Sequence, residues 1–259
     1  MIMISLMDYS RISKKEIKDK SVVILDVDET IVEGRIAKSA FYLLEEEKNN
    51  GNWFNYFRGT VGGAKIIIGT KLRSRFEDAA KVENDGLKSC MKILHKAKIV
   101  KRRVHDSAKR YTVEHAVSGA YDLLDTLNGD YGMKIHFSSL TGDGFLDPLV
   151  DERNATYTSQ EMIYDENEIP YDVNFRIKSA FDKLIETEKD LLEMGFSLKD
   201  SIYIGDSDTD RFFAKSNNPA GIFICSPLTT SKELREISRI KLNGVYDYNW
   251  LNEELKNLA

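Results

Sequence analysis

The 259-residue chain is 42% hydrophobic and 31% charged, a balance that supports a sizeable core in one large domain or in a domain with a second one inserted. Its net charge of −5 argues against a general nucleic-acid binder. No apolar run approaches the roughly 20 residues that a bilayer-spanning helix needs, so neither nucleic acid nor membrane is expected as a partner.

The stretch "VVILDVDET" (22–30) opens the ordered pattern: four β-formers read as a strand buried on both faces, running straight into Asp26 and Asp28. From 33 to 112 no strand is convincing and helical patterns dominate. "AKSAFYLLEEEK" puts Ala40, Leu43 and Leu44 on one face, "NWFNYF" reads as a further helix, and "DGLKSCMKILHKAKIVKRRV" as another with a Leu87, Met91, Leu94 stripe. "SGAYDLLDTLNGDYG" is a helix stopped at Asn128-Gly129, leading into the strand "MKIHF", which is expected to end at Ser138-Ser139. "TYTSQEMIYDENEI" alternates and turns at 165–167, so a β-hairpin is expected there. "RIKSAFDKLIETEKDLLEMG" is a helix closed by Gly195. "DSIYIGD" and "AGIFIC" are strands, and "NWLNEELKNLA" is a terminal helix.

Outside 33–112 the order is strand, helix, strand, helix, strand. The expected fold is therefore α/β, a Rossmann-like three-layer parallel sheet core formed by 1–32 and 113–259, with an inserted α-helical cap over 33–112. Ligands of open parallel sheets bind at the carboxyl ends of strands, and the ends here carry Asp26/Asp28, Ser138/Ser139 and Asp206.

So many carboxylates at one crevice require a hard cation, for which Mg2+ is the usual choice. A carboxylate held against such an ion attacks phosphorus readily, and a second one, Asp28, is placed to act as general acid. A hydroxyl at Ser138 and an ammonium from Lys178 would neutralise phosphoryl oxygens, Lys178 being preferred to Lys183 because it opens its helix.

"DVDET" resembles the DxDxT signature of haloacid dehalogenase-type phosphatases. "KIHFS", "RIKSAFDKL" and "YIGDSDTD" are similar to that superfamily's second, third and fourth motifs, in the expected order. The resemblance implies a phosphatase with Asp26 as nucleophile forming an aspartyl-phosphate and Asp28 as acid and then base. It implies Mg2+ held by Asp26, the Asp28 carbonyl and Asp206, with Asp210 as ligand or just behind, and Ser138, Ser139 and Lys178 binding the phosphoryl group of a small phosphorylated metabolite. The insertion point resembles the helical cap of the phosphoserine phosphatase branch. That branch carries Gly and Asn where this chain has Ser207 and Thr209, and an ammonium-binding Glu nine residues past the nucleophile, where this chain has Arg35. A guanidinium there would repel an ammonium and attract a second anionic group.

A phosphotransferase or mutase of the same superfamily is the alternative, and a phospho-accepting signalling module a remote one, since such modules lack a cap. An EF-hand loop starting at Asp206 would need a Gly and a closing Glu where the chain has Arg211 and Asn217. "RGTVGGAKIIIG" (58–69) lacks the Gly-Lys-Ser/Thr order of a P-loop. The basic run 96–110 is expected to be a solvated cap face, and the four histidines to have ordinary structural or surface roles. Cys90 and Cys225 fit reduced thiols of a cytoplasmic protein.

Overall fold

The computed structural model describes residues 13–51, 79–216, 219–229, 231–242 and 247–258. The predicted helix at 52–57 and the glycine-rich segment 58–69 lie outside them.

The helices are α1 Lys14–Lys18, α2 Ser39–Asn49, α3 Ala79–Lys96, α4 Lys101–Glu114, α5 Ala120–Gly129, α6 Asp143–Arg153, α7 Ala180–Glu193, α8 Arg211–Lys215, α9 Lys232–Ile237 and α10 Tyr248–Leu258. The strands are β1 Val22–Leu25, β2 Lys134–Gly142, β3 Thr156–Tyr164, β4 Pro170–Asn174, β5 Ser201–Gly205, β6 Ile222–Cys225 and β7 Ile240–Lys241. They form one sheet in the order β4-β3-β2-β1-β5-β6-β7, parallel except for the β3–β4 hairpin. In that hairpin Asp165 Oδ1 accepts the N–H groups of Asn167 and Ile169, which closes the turn.

β1 sits between β2 and β5, with Leu25 level with Phe137 and Ile204. Because side chains alternate across a strand, Val23 and Leu25 enter one buried cluster and Val22 and Ile24 the other, which is built by Leu184 and Leu191 of α7 and by Tyr203 and Phe213. Asp26, next in the alternation, falls on the α7 side. The chain turns to opposite sides of β1 to make β2 and β5, so the crevice at their carboxyl ends is the sheet's switch point.

Short elements such as α1, α8, α9 and β7 were not predicted, and three longer stretches differ from the sequence reading. The helix predicted across 85–104 is two, α3 and α4, because the chain breaks at Lys98, whose φ of 55° is left-handed. β2 does not stop at Ser138-Ser139 but continues to Gly142, through an irregularity in its pairing with β3. Residues 143–153, for which no element was predicted, form α6.

The inserted helices leave and rejoin the core side by side: Glu33 N–H donates to His115 O and Val117 N–H to Ile31 O, 2.7 and 2.9 Å. Leu43 and Leu44 of α2, the predicted Leu87, Met91, Leu94 stripe of α3 and Val104 and Ala108 of α4 are buried in the same cluster as Val23, Leu25 and Phe137. α3 is also tied to the sheet by a buried amide pair. Asn84 Nδ2 donates to Ile177 O at 2.9 Å, and Gln160 Nε2 donates to Asn84 Oδ1 at 2.8 Å and to Ile177 O at 2.7 Å. In the basic run, Arg103 and Arg110 pair with Glu46, Arg103 also with Glu47, Lys101 with Asp147 and Lys109 with Glu152, so much of its charge is neutralised within the insert and by α6.

Candidate active site

At the carboxyl end of β1, Asp26 is 6% exposed and its carboxylate faces Lys183 Nζ at 3.1 Å. Lys183, fully buried, also donates to Asp210 Oδ1 at 2.7 Å. Carboxylate oxygens of Asp26, Asp206 and Asp210 lie within 4.8 Å of one another. Residues 180 positions apart thus meet at one point, as the strand ends require.

It is Lys183, and not the Lys178 preferred from the sequence, that the structure brings to Asp26. Ser179 caps α7 by accepting the Asp182 N–H at 3.1 Å, which leaves Lys178 outside the helix and exposed. Lys183 lies one turn inside, on the stripe Ala180, Lys183, Leu184, Thr187 and Leu191 that α7 buries against the sheet. That stripe, with helical spacing, was the signal in the sequence for choosing Lys183.

The two serines of β2 also separate. Ser138 Oγ and Thr187 Oγ1 are 2.7 Å apart, and Thr187 donates to Lys183 O at 2.7 Å, so the Ser138 hydroxyl is committed to α7. Ser139, two residues from Thr141, accepts the Thr141 N–H at 3.2 Å. The Thr141 hydroxyl, three residues beyond Ser138, is buried without a hydrogen-bond partner among the described residues.

Asp28 stands apart from the acidic trio: its Oδ1 accepts the Ile36 N–H at 2.7 Å and its side chain is half-buried. Thr30, fully buried, directs its hydroxyl toward Asp206 Oδ1 at 3.4 Å. Asp210 is saturated. Its Oδ1 accepts from Lys183 and from Tyr203 O–H at 2.7 Å, and its Oδ2 accepts the N–H groups of Asp206 and Ser207 at 3.0 and 3.1 Å. Gly205 is required here, since a Cβ on it would come 2.5 Å from Asp210 Oδ2.

The charges explain one another. Burial pushes the Asp26 carboxyl up to about 7, Asp210 and Asp28 pushing the same way while Lys183 opposes. Burial pushes Asp28 up to about 6, against the pull of the Ile36 N–H and Arg35. Asp206 rises well above the usual carboxylate range through burial, then through Asp26 and Asp210. Burial alone would lower the Lys183 pKa; Asp210 and Asp26 more than reverse that and hold it above the ordinary lysine value. One ammonium against three carboxylates leaves excess negative charge in a buried crevice, with Asp26 and Asp206 within hydrogen-bonding reach of each other. All free donors are hard oxygens. The residues therefore fit a hard divalent cation, with Asp26 and Asp206 offering carboxylate oxygens and Asp210 having none to spare.

Beside Asp28, Arg35 NH2 pairs with Glu83 Oε1 of α3 at 3.0 Å. The two side chains are 44% and 28% exposed, so the carboxylate is the more buried partner. Burial raises the Glu83 pKa against the pull of Arg35 and Lys183.

No protein-family model and no curated protein sequence matches the chain. Solved structures do. A substrate-bound phosphoserine phosphatase superposes with a TM-score of 0.62 at 18% identity, over 93% of this chain and 99% of that one. A phospho-aspartyl intermediate analogue of phosphoserine phosphatase gives 0.59 at 18% identity, over 93% and 99%. A HAD family hydrolase from Salmonella enterica serovar Typhi gives 0.63 at 15% identity, over 91% and 70%. The chain thus has the haloacid dehalogenase fold with a helical insertion after the first strand, the fold of these phosphoserine phosphatases.

Proposed function

We propose that the protein is a Mg2+-dependent phosphomonoester hydrolase acting on a small phosphorylated metabolite through an aspartyl-phosphate on Asp26. The observation that carries this reading is the meeting of Asp26, Lys183 and Asp206 at the ends of β1 and β5, in a fold shared with solved phosphoserine phosphatases.

Asp26 attacks phosphorus and the bond to the leaving oxygen breaks as Asp28 protonates that oxygen. Asp28, now a carboxylate, takes a proton from a water that attacks the aspartyl-phosphate, releasing phosphate and restoring Asp26. The pKa of about 6 on Asp28 suits a group that must give and then accept a proton near neutrality. Lys183 neutralises the phosphoryl oxygens, together with the hydroxyls of Ser139 and Thr141 in the carboxyl-terminal part of β2. Asp26, Asp206 and the Asp28 carbonyl would hold Mg2+, which supplies charge neutralisation when bound. Asp210 acts by holding Lys183 and the loop amides. Residues 33–112 serve as the cap that excludes water and selects the substrate, with Arg35 and Glu83 beside the leaving group.

The test is free phosphate release from a panel of phosphate esters. Asp26→Asn, which removes the nucleophile, is expected to abolish release while the protein stays folded. Release at the wild-type rate would refute the assignment. Transfer to an added alcohol in place of free phosphate would make the enzyme a phosphotransferase.

A further inference from the structure

Tyr203 lies in β5 and is fully buried, its ring stacked against Phe213 at 3.9 Å and 19° and against Phe223 at 5.4 Å and 14°. A phenylalanine would fill this aromatic slot equally well. A buried hydroxyl costs free energy unless it is hydrogen-bonded, so the hydroxyl needs a reason. It donates to Asp210 Oδ1, the same oxygen that receives Lys183 Nζ, both at 2.7 Å. Lys183 is at the same time 3.1 Å from Asp26.

We propose that Tyr203 is a positioning residue whose hydroxyl shares Asp210 Oδ1 with Lys183 and so leaves the ammonium poised between Asp210 and Asp26. The proposal rests on the reading above in which Lys183 binds the phosphoryl group. The reason is competition for one oxygen. With two donors on Oδ1, neither has its full negative charge, and part of the ammonium's charge remains directed at Asp26. Without the hydroxyl, Asp210 Oδ1 draws Lys183 inward, away from the place where phosphoryl oxygens are held. The Asp206 and Ser207 N–H groups bind the other oxygen of Asp210, so the acidic loop keeps its shape. The aromatic stack fixes the height of the hydroxyl along β5. The placement is therefore decided by the first residue of the fourth motif together with two phenylalanines outside the motifs.

Calorimetric titration of Tyr203→Phe with inorganic phosphate, and separately with Mg2+, tests this. The expected result is about a tenfold loss of phosphate affinity, the scale of one hydrogen bond to a charged group, with Mg2+ affinity unchanged. In turnover, KM should rise more than kcat falls. Unchanged phosphate affinity overturns the proposal, whatever happens to Tm. Equal losses of phosphate and Mg2+ affinity also overturn it, because the hydroxyl then merely supports the acidic loop. Phe213→Leu keeps the hydroxyl and loosens its stack; it should give a smaller loss in the same direction and serves if Tyr203→Phe does not fold. Lys183→Met in the same titration separates the two readings. Wild-type phosphate affinity there would overturn the role of Lys183 and this proposal with it. A loss there with none in Tyr203→Phe overturns the part of Tyr203 alone.

Discussion

Lys183 is the only cation touching Asp26 among the described residues, so its replacement should remove the positive end of the proposed phosphoryl site. Lys183→Met is expected to lower kcat/KM by roughly 10²–10³-fold, the range for losing one preorganised charge-stabilising group. Lys178→Ala, at an exposed position, should stay within about twofold. Equal losses in both would mean that the buried lysine is structural only. At the mouth, Arg35 is engaged by Glu83, so a second anionic group on a substrate must compete with a carboxylate already in place. Glu83→Gln removes that competitor. The variant should lower KM roughly fivefold for phosphate esters that carry a second negative group, and leave esters of neutral alcohols unchanged. A uniform change across the panel would show that Arg35 has no part in specificity.

At the scale of elements, α7 is held to the sheet by a polar layer as well as an apolar one. Thr158 O–H donates to Asp190 Oδ2 at 2.6 Å and therefore accepts from His136 Nε2, 2.9 Å away, which leaves Nδ1 to accept from Thr156 at 2.8 Å. Asp190 in turn receives Arg176 at 2.9 Å. His136 is thereby a neutral imidazole with a fixed tautomer. Its burial lowers its pKa from 6.5 to about 4, Arg176 helping and Asp190 opposing. The unfolded chain binds this proton more readily than the folded one, so the contribution of His136 to stability is complete above pH 6.5 and is lost as pH falls toward 4. The loss is about 3 kcal/mol. Denaturant unfolding of wild type and His136→Gln from pH 7 to 4 should show wild type losing that much more than the variant. Parallel curves would mean that His136 titrates normally.

Across the whole molecule, the acidic crevice opposes folding when no cation is present. Asp26, Asp28 and Asp206 have folded pKa values raised above the ordinary carboxylate value, so the folded state holds their protons more tightly than the unfolded chain. The part of stability that comes from Asp26 and Asp28 falls as pH rises from about 4 through about 7, and Asp206 acts in the same direction. A divalent cation held by the ionised carboxylates, as proposed above, would reverse the loss. Mg2+ should therefore raise Tm at pH 8 and much less at pH 5, measured by thermal unfolding of EDTA-treated protein. No gain at pH 8 would refute the cation site. The wider architecture bears on this because α3, locked through Asn84 and Gln160, fixes Glu83 over the same crevice.

The unbroken apolar run in "VVILDVDET" by itself determined that a strand buried on both faces runs into Asp26 and Asp28, since the signal of such a strand is local. The same local signals gave the β3–β4 hairpin and the α/β order, and they placed Asp206 and Asp210 after β5. Between Lys178 and Lys183 the stripe on α7 was their one hint, and the packing decided, because the distinction depends on which face of α7 the sheet covers and on Ser179 taking the cap. They could not show that Ser138 turns toward Thr187 while β2 runs on to Gly142, or that Tyr203 and Lys183 share one oxygen of Asp210. Those choices belong to pairs of residues far apart in the chain, and each is decided by which face meets which when the layers pack.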